Sequence, residues 1–154
     1  VGGIRNDGGT VSLVGFAGNH ESSGIPSDTE VGTVVSTIDE VDTMVLANGS
    51  TREHKNHAKI KVSDTVGDKR VYGVLTNFHT KEDTNETKAL ITAVGIASVK
   101  VTGACSGGDL LESNGDGTAK VQSDDIIRSK TIGKVTIGNS STSVKLVSCV
   151  LYCG

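Results

Sequence analysis

The stretch Ser63-Asp64-Thr65-Val66, running on to Val71-Tyr72-Gly73-Val74-Leu75-Thr76, recurs sixty residues later without a gap. There it reads Ser123-Asp124-Asp125-Ile126, then Thr131-Ile132-Gly133-Lys134-Val135-Thr136. Past a shortened hairpin the match resumes at an offset of 56, where Thr87-Lys88-Ala89-Leu90-Ile91 parallels Ser143-Val144-Lys145-Leu146-Val147. Upstream, Gly32-Thr33-Val34-Val35-Ser36 answers Gly108-Asp109-Leu110-Leu111-Glu112, with an insertion over 50–56 in the first copy. Each copy reads as a Gly-led strand, a short strand, a Ser-Asp turn, a strand with a central Gly, a hairpin loop and a return strand. A unit this small cannot bury its own apolar face, so two copies are expected to close over a shared aliphatic interior.

Composition supports that reading. Gly is abundant at 20 and Pro is nearly absent at 1, while Thr, Ser and Val recur throughout, which favours short strands and tight turns. Strand character appears at 10–16, 32–37, 43–46, 58–62, 71–77, 88–94, 98–102, 109–112, 119–122, 131–137 and 144–152. Between them lie turn signals such as Asn48-Gly49, Gly67-Asp68, Gly107-Gly108 and Gly138-Asn139. No window keeps a helical apolar period for ten or more residues, so at most short helical turns are expected, near 39–42 or 124–128. The predicted class is all-β, a compact barrel or sandwich of two pseudo-repeated antiparallel units behind an irregular N-terminal arm. The predicted boundaries are 1–30 for the arm or linker and 31–154 for the domain, with repeats at about 32–97 and 108–152.

Several function classes lose their footing on composition alone. The net charge of −3 is spread, and no Lys/Arg run interleaves with the sparse aromatics (3%), so nucleic acid is not an expected partner. No apolar stretch approaches the roughly 20 residues of a membrane helix, so no membrane partner is expected. Val1 in place of Met reads as a fragment or a processed product. Cys149 and Cys153 sit four apart on one strand, roughly 13 Å between Cα atoms at about 3.3 Å per residue, too far to bond each other. Reduced, half-buried thiols are expected, with a bridge from Cys105 to either as the alternative.

The chemistry-bearing residues mostly have structural readings. Ser63-Asp64 and Ser123-Asp124 suit turns fixed by side chain to backbone hydrogen bonds, and Gly73 and Gly133 suit a bulge or a close backbone approach. Glu112-Ser113-Asn114-Gly115-Asp116-Gly117 imitates the start of a calcium loop, but Ser123 holds the twelfth position, where a bidentate Glu belongs. His54 and His57 form a His-x-x-His in a polar stretch that reads as a solvated loop. There is no Gly-x-Ser-x-Gly elbow and no phosphate-binding loop, so no enzyme, metal or cofactor is expected. Polar loops at 47–57 and 77–87, longer than their counterparts in the second copy, are the expected contact regions. Their candidate contact residues are Asn48, His54, His57, His79, Asp83 and Asn85.

Over residues 30–154 the chain resembles the C-terminal region of structural proteins from tailed phages, cyanophage tail fibres in particular. The resemblance is carried by Lys59 to Val74, Ala93-Val94-Gly95, Gly108-Asp109-Leu110-Leu111, Asn114 to Gln122, Asp124 to Ile132 and the closing Cys149 to Gly154. The same order of elements is similar to two neighbouring groups, the autocleaving intramolecular chaperone domain of phage neck appendages and the β-barrel proteins that decorate phage capsids. The resemblance implies a virion-surface structural module that assembles with itself, as a homotrimer, and with neighbouring virion proteins, and that touches a host receptor. The chaperone group cleaves before an Asp with a Glu shortly after. Ser27-Asp28-Thr29-Glu30 is the nearest fragment, its Glu one position closer than that pattern, so Asp28 and Glu30 are the pair that this alternative implies.

Overall fold

A computed structural model describes residues 3–7, 10–14 and 17–153, and the regular structure within them is all β. The strands are β1 (Gly3–Asp7), β2 (Thr10–Val14), β3 (Ala17–Ser22), β4 (Val34–Val45), β5 (Thr51–Val62), β6 (Val71–Thr80), β7 (Thr87–Val101), β8 (Leu110–Ser113), β9 (Ala119–Val121), β10 (Gly133–Val135) and β11 (Lys145–Tyr152). β1 and β2 pair with each other as a separate two-stranded sheet, and the rest form one nine-stranded sheet. Within residues 1–30, Ala17–Ser22 therefore joins the main sheet, as β3 against β7.

The repeat is visible in the pairing. The sheet order is β7-β6-β4-β5 in the first series and β11-β10-β8-β9 in the second, the same permutation of four successive strands. Val35 pairs with Gly73 as Leu111 pairs with Gly133. The Gly32 N–H donates to the Leu75 carbonyl at 2.8 Å, and the Gly108 N–H donates to the Val135 carbonyl at the same distance. On the return strand, Leu75 faces Ile91 where Val135 faces Cys149, so the offset is 58 and not the 56 expected. A two-residue shift leaves every side chain on its own face, so alternation alone does not separate the two registers.

In the second series the ring closes. β7, β11, β10, β8 and β9 form a five-stranded barrel sealed by a parallel contact at Val101 and Ala119, with the Thr102 N–H donating to the Ala119 carbonyl at 2.8 Å. Its filling includes Val99, Val101, Leu111, Ile132, Val147 and Leu151. In the first series β5 curls back toward the segment after β3, where the Ile60 N–H meets the Ser23 carbonyl at 2.9 Å. This half encloses Val35, Ile60, Leu75, Ala89 and Ile91. The two copies thus share the barrel-side interior, into which Val34 of β4 and Val74 of β6 also pack, while a second interior lies within the first copy, and β7 serves both. Each fully buried aliphatic side chain contributes about 1.5–3 kcal/mol.

Two other expectations change. Residues 39–42 lie inside β4, and 124–128 form an irregular turn, so neither is helical. The long polar loops shrink to 46–50 and 81–86, because β5 begins at Thr51 and β6 runs to Thr80. β5 ends the strand order with β4 as its one ladder partner among the described residues, and the polar composition that reads as loop is that of an exposed edge.

Candidate functional site

The polar chemistry gathers in two places. The first is built by a distortion of the β4–β5 ladder, whose register jumps between Thr37 and Val41 and again between Val41 and Thr43. Asn56 sits there at φ 69°, a left-handed conformation that Asn tolerates better than most residues. Residues three apart on a regular strand face opposite ways, yet across this bulge the His54 and His57 rings stack with centroids 3.6 Å apart. His57 Nδ1 lies 2.9 Å from the Glu21 carbonyl, which can only accept, so Nδ1 carries the proton. His54 Nδ1 is enclosed without a hydrogen-bond partner. Burial, then the positive fields of His57, Lys81 and Lys88, hold the His54 pKa below its ordinary value against the pull of Asp42.

Beside the histidines runs a chain of charges. Lys88 (2% exposed) pairs with the fully buried Asp42 at 2.8 Å, and its ammonium also donates to the Thr43 carbonyl. Lys88 reaches Glu86 at 3.4 Å, Glu86 reaches Lys81 at 3.5 Å, and Lys81 reaches Glu21 at 3.0 Å. Burial pushes the Asp42 pKa up, but hydrogen bonds from Lys88, the Ser23 hydroxyl and the Thr43 N–H, with the Lys88 charge, bring it below the ordinary carboxylate value. Among the described residues no three His, Cys, Asp or Glu side chains converge as a metal site would need. This chain of charges ties β3, β4 and β7 to the 81–86 turn.

The other expected residues are dispersed. Asn48 caps the β4–β5 turn by accepting the Ser50 N–H at 3.0 Å, Asp83 and Asn85 (φ 57°) lie in the β6–β7 turn, and His79 is exposed on β6. Asp28 is exposed in the turn after β3, while the Lys100 ammonium binds Glu30 and lowers the pKa of its carboxyl. The Ser-Asp pairs diverge: Ser63 is buried and hydrogen-bonded to Ser113 at 2.8 Å across the two halves, whereas Ser123 is exposed. Backbone pairing makes Gln122 the counterpart of Ser63, each donating its N–H to the strand opposite, at Leu110 and Val34 respectively. Asp64 pairs with Lys61 at 2.7 Å, and Asp124 accepts from Gln122 at 2.6 Å and from Arg128 at 3.0 Å. The calcium-like run forms the β8–β9 turn, with Asp116 accepting the Thr118 N–H at 3.0 Å. All three cysteines are free.

The second place is a cleft of about 550 Å³ between the two halves, absent from the sequence reading. One wall is the turn leading into β6, with Lys69, Arg70 and Tyr72. The other is the 127–131 segment with Arg128, and Tyr152 and Cys153 at the end of β11 complete it. Arg70 makes a two-pronged pair with Asp39 at 2.5 and 3.2 Å, and His20 stacks on Tyr72 with centroids 5.5 Å apart. No local pattern marks it, because 69–72, 127–131 and 152–153 meet only in the folded chain.

No family model matches the chain, and no curated protein matches it.

Proposed function

We propose that the chain is a non-catalytic structural module of a bacteriophage particle, the end of a tail fibre or appendage, exposed on the virion and acting in assembly and host attachment as a homotrimer. The observation that carries this reading is the outer face of β7 and β11. On β11 the side chains of Val147, Cys149 and Leu151 point inward, which turns Leu146 (53% exposed) outward beside Lys100. On β7 Ile96 (71% exposed) stands opposite Val150, and Val94 opposite Tyr152. Val31 and Val144 extend the same patch around Leu146. The outer face thus carries two apolar clusters, Ile96 with Val150 and Leu146 with Val144 and Val31, separated by the Ser98–Ser148 pair. Exposed apolar clusters mark a place where another surface belongs, and in a homotrimer the neighbouring copies around the three-fold axis cover them. The resemblance of residues 30–154 to phage fibre proteins agrees with this.

Light scattering on the purified chain tests the proposal. The expected mass is three times that of the chain, falling to one chain in an Ile96→Asp/Leu146→Asp variant that keeps its β-sheet circular dichroism. A monomer at every concentration in the unaltered protein overturns the reading.

A further inference from the structure

The chain is poor in aromatic residues, with two Tyr, two Phe and no Trp, yet both tyrosines line this cleft between the halves. Neither phenol hydroxyl makes a hydrogen bond among the described residues, and Lys69 makes no ion pair among them. His20 stacks on Tyr72, which also packs against the first interior, and both tyrosines contribute to the lining of the cleft. The two guanidiniums keep donors in hand. Arg70 commits two nitrogens to Asp39, and Arg128 commits Nε to Asp124, out of five N–H groups each. Both ion pairs are exposed and so hold their partners weakly, orienting the forks without consuming them.

We propose that this cleft binds an acidic saccharide. Sugar rings present apolar C–H faces to tyrosine and hydroxyls to its phenol, and the volume lies in the range that accommodates small organic ligands. Lys69, Arg70 and Arg128 then meet a carboxylate or sulfate, which guanidinium forks bind in bidentate fashion. A long polyanion fits poorly, because Asp39 and Asp124 flank the cations and the chain as a whole carries −3. The inference deepens the attachment part of the proposed function and rests on it.

Titration of the whole chain with a galacturonate hexamer and a chondroitin sulfate hexasaccharide, followed by amide chemical shifts, tests it. Maltohexaose and a thymidine hexanucleotide serve as comparators. Saturable shifts at 69–72, 127–131 and 152–153 with an acidic sugar are expected, weakened roughly tenfold or more in Lys69→Glu/Arg128→Glu. Those two positions are exposed, and unchanged amide shifts elsewhere confirm that the variant folds. The inference is overturned if neither acidic sugar saturates, if maltohexaose binds as well, if the nucleotide binds more tightly, or if the variant binds like the parent. A trimer that binds no sugar keeps the particle reading and loses the cleft. A monomer that binds acidic sugar does the reverse.

Discussion

Gly73 and Gly133 occupy the same place in the two halves: a Cβ on the first would collide with the carbonyl oxygen of Thr92, and one on the second with that of Val150. Both obstacles are backbone atoms of the neighbouring strand and cannot swing aside. Alanine at either position is expected to cost about 1–3 kcal/mol in urea unfolding. Gly107→Ala, whose Cβ first meets an atom at 3.4 Å, is expected to lie within error of the parent.

Asp42 and Lys88 are buried together, so removing one strands the other. Asp42→Ala is expected to destabilise by about 3–5 kcal/mol, read from denaturant midpoints. Asp42→Leu combined with Lys88→Met is expected to recover part of that loss, because neither charge then needs a partner.

Acid should weaken the same region through His54. Its folded pKa is depressed, so the unfolded chain takes up the proton first. The stability from neutral His54 is complete above the unfolded value of about 6.5 and is lost as pH falls through it toward the folded value. Melting temperatures between about pH 8 and about pH 5 should fall more steeply for the parent than for His54→Asn. Equal slopes would show that the histidine does not titrate unfavourably.

The thiols should be inert in the native state. Burial, with Cys105 nearby, pushes Cys149 up to about 12, and burial alone takes Cys153 to about 12. Ellman's reagent at mild alkaline pH is expected to label neither until denaturant is added, whereupon all three cysteines react.

The β class and the order of strands could be read from the chain because turn glycines and alternating Val, Ile and Leu are local signals, repeated in both copies. The polar cluster could not. Asp42 and Lys88 are 46 residues apart, and nothing near either announces the other. His54 and His57 look like loop residues because an exposed edge strand carries loop-like composition, and their stacking depends on the backbone turn at Asn56, which no side-chain pattern encodes. The cleft was hidden for a similar reason, since Lys69, Arg128 and Tyr152 meet only after two halves distant in sequence come together.

β7 gives Ala89 and Ile91 to one interior and Val99 and Val101 to the other, turning at Gly95 (φ 102°) between them. The first half holds every strand of its own interior, whereas the barrel of the second closes only through β7. A genetic cut between the copies therefore leaves the second without a closed barrel, and a molecule pulled from its ends should give way in one rupture, with no halfway plateau on the force trace.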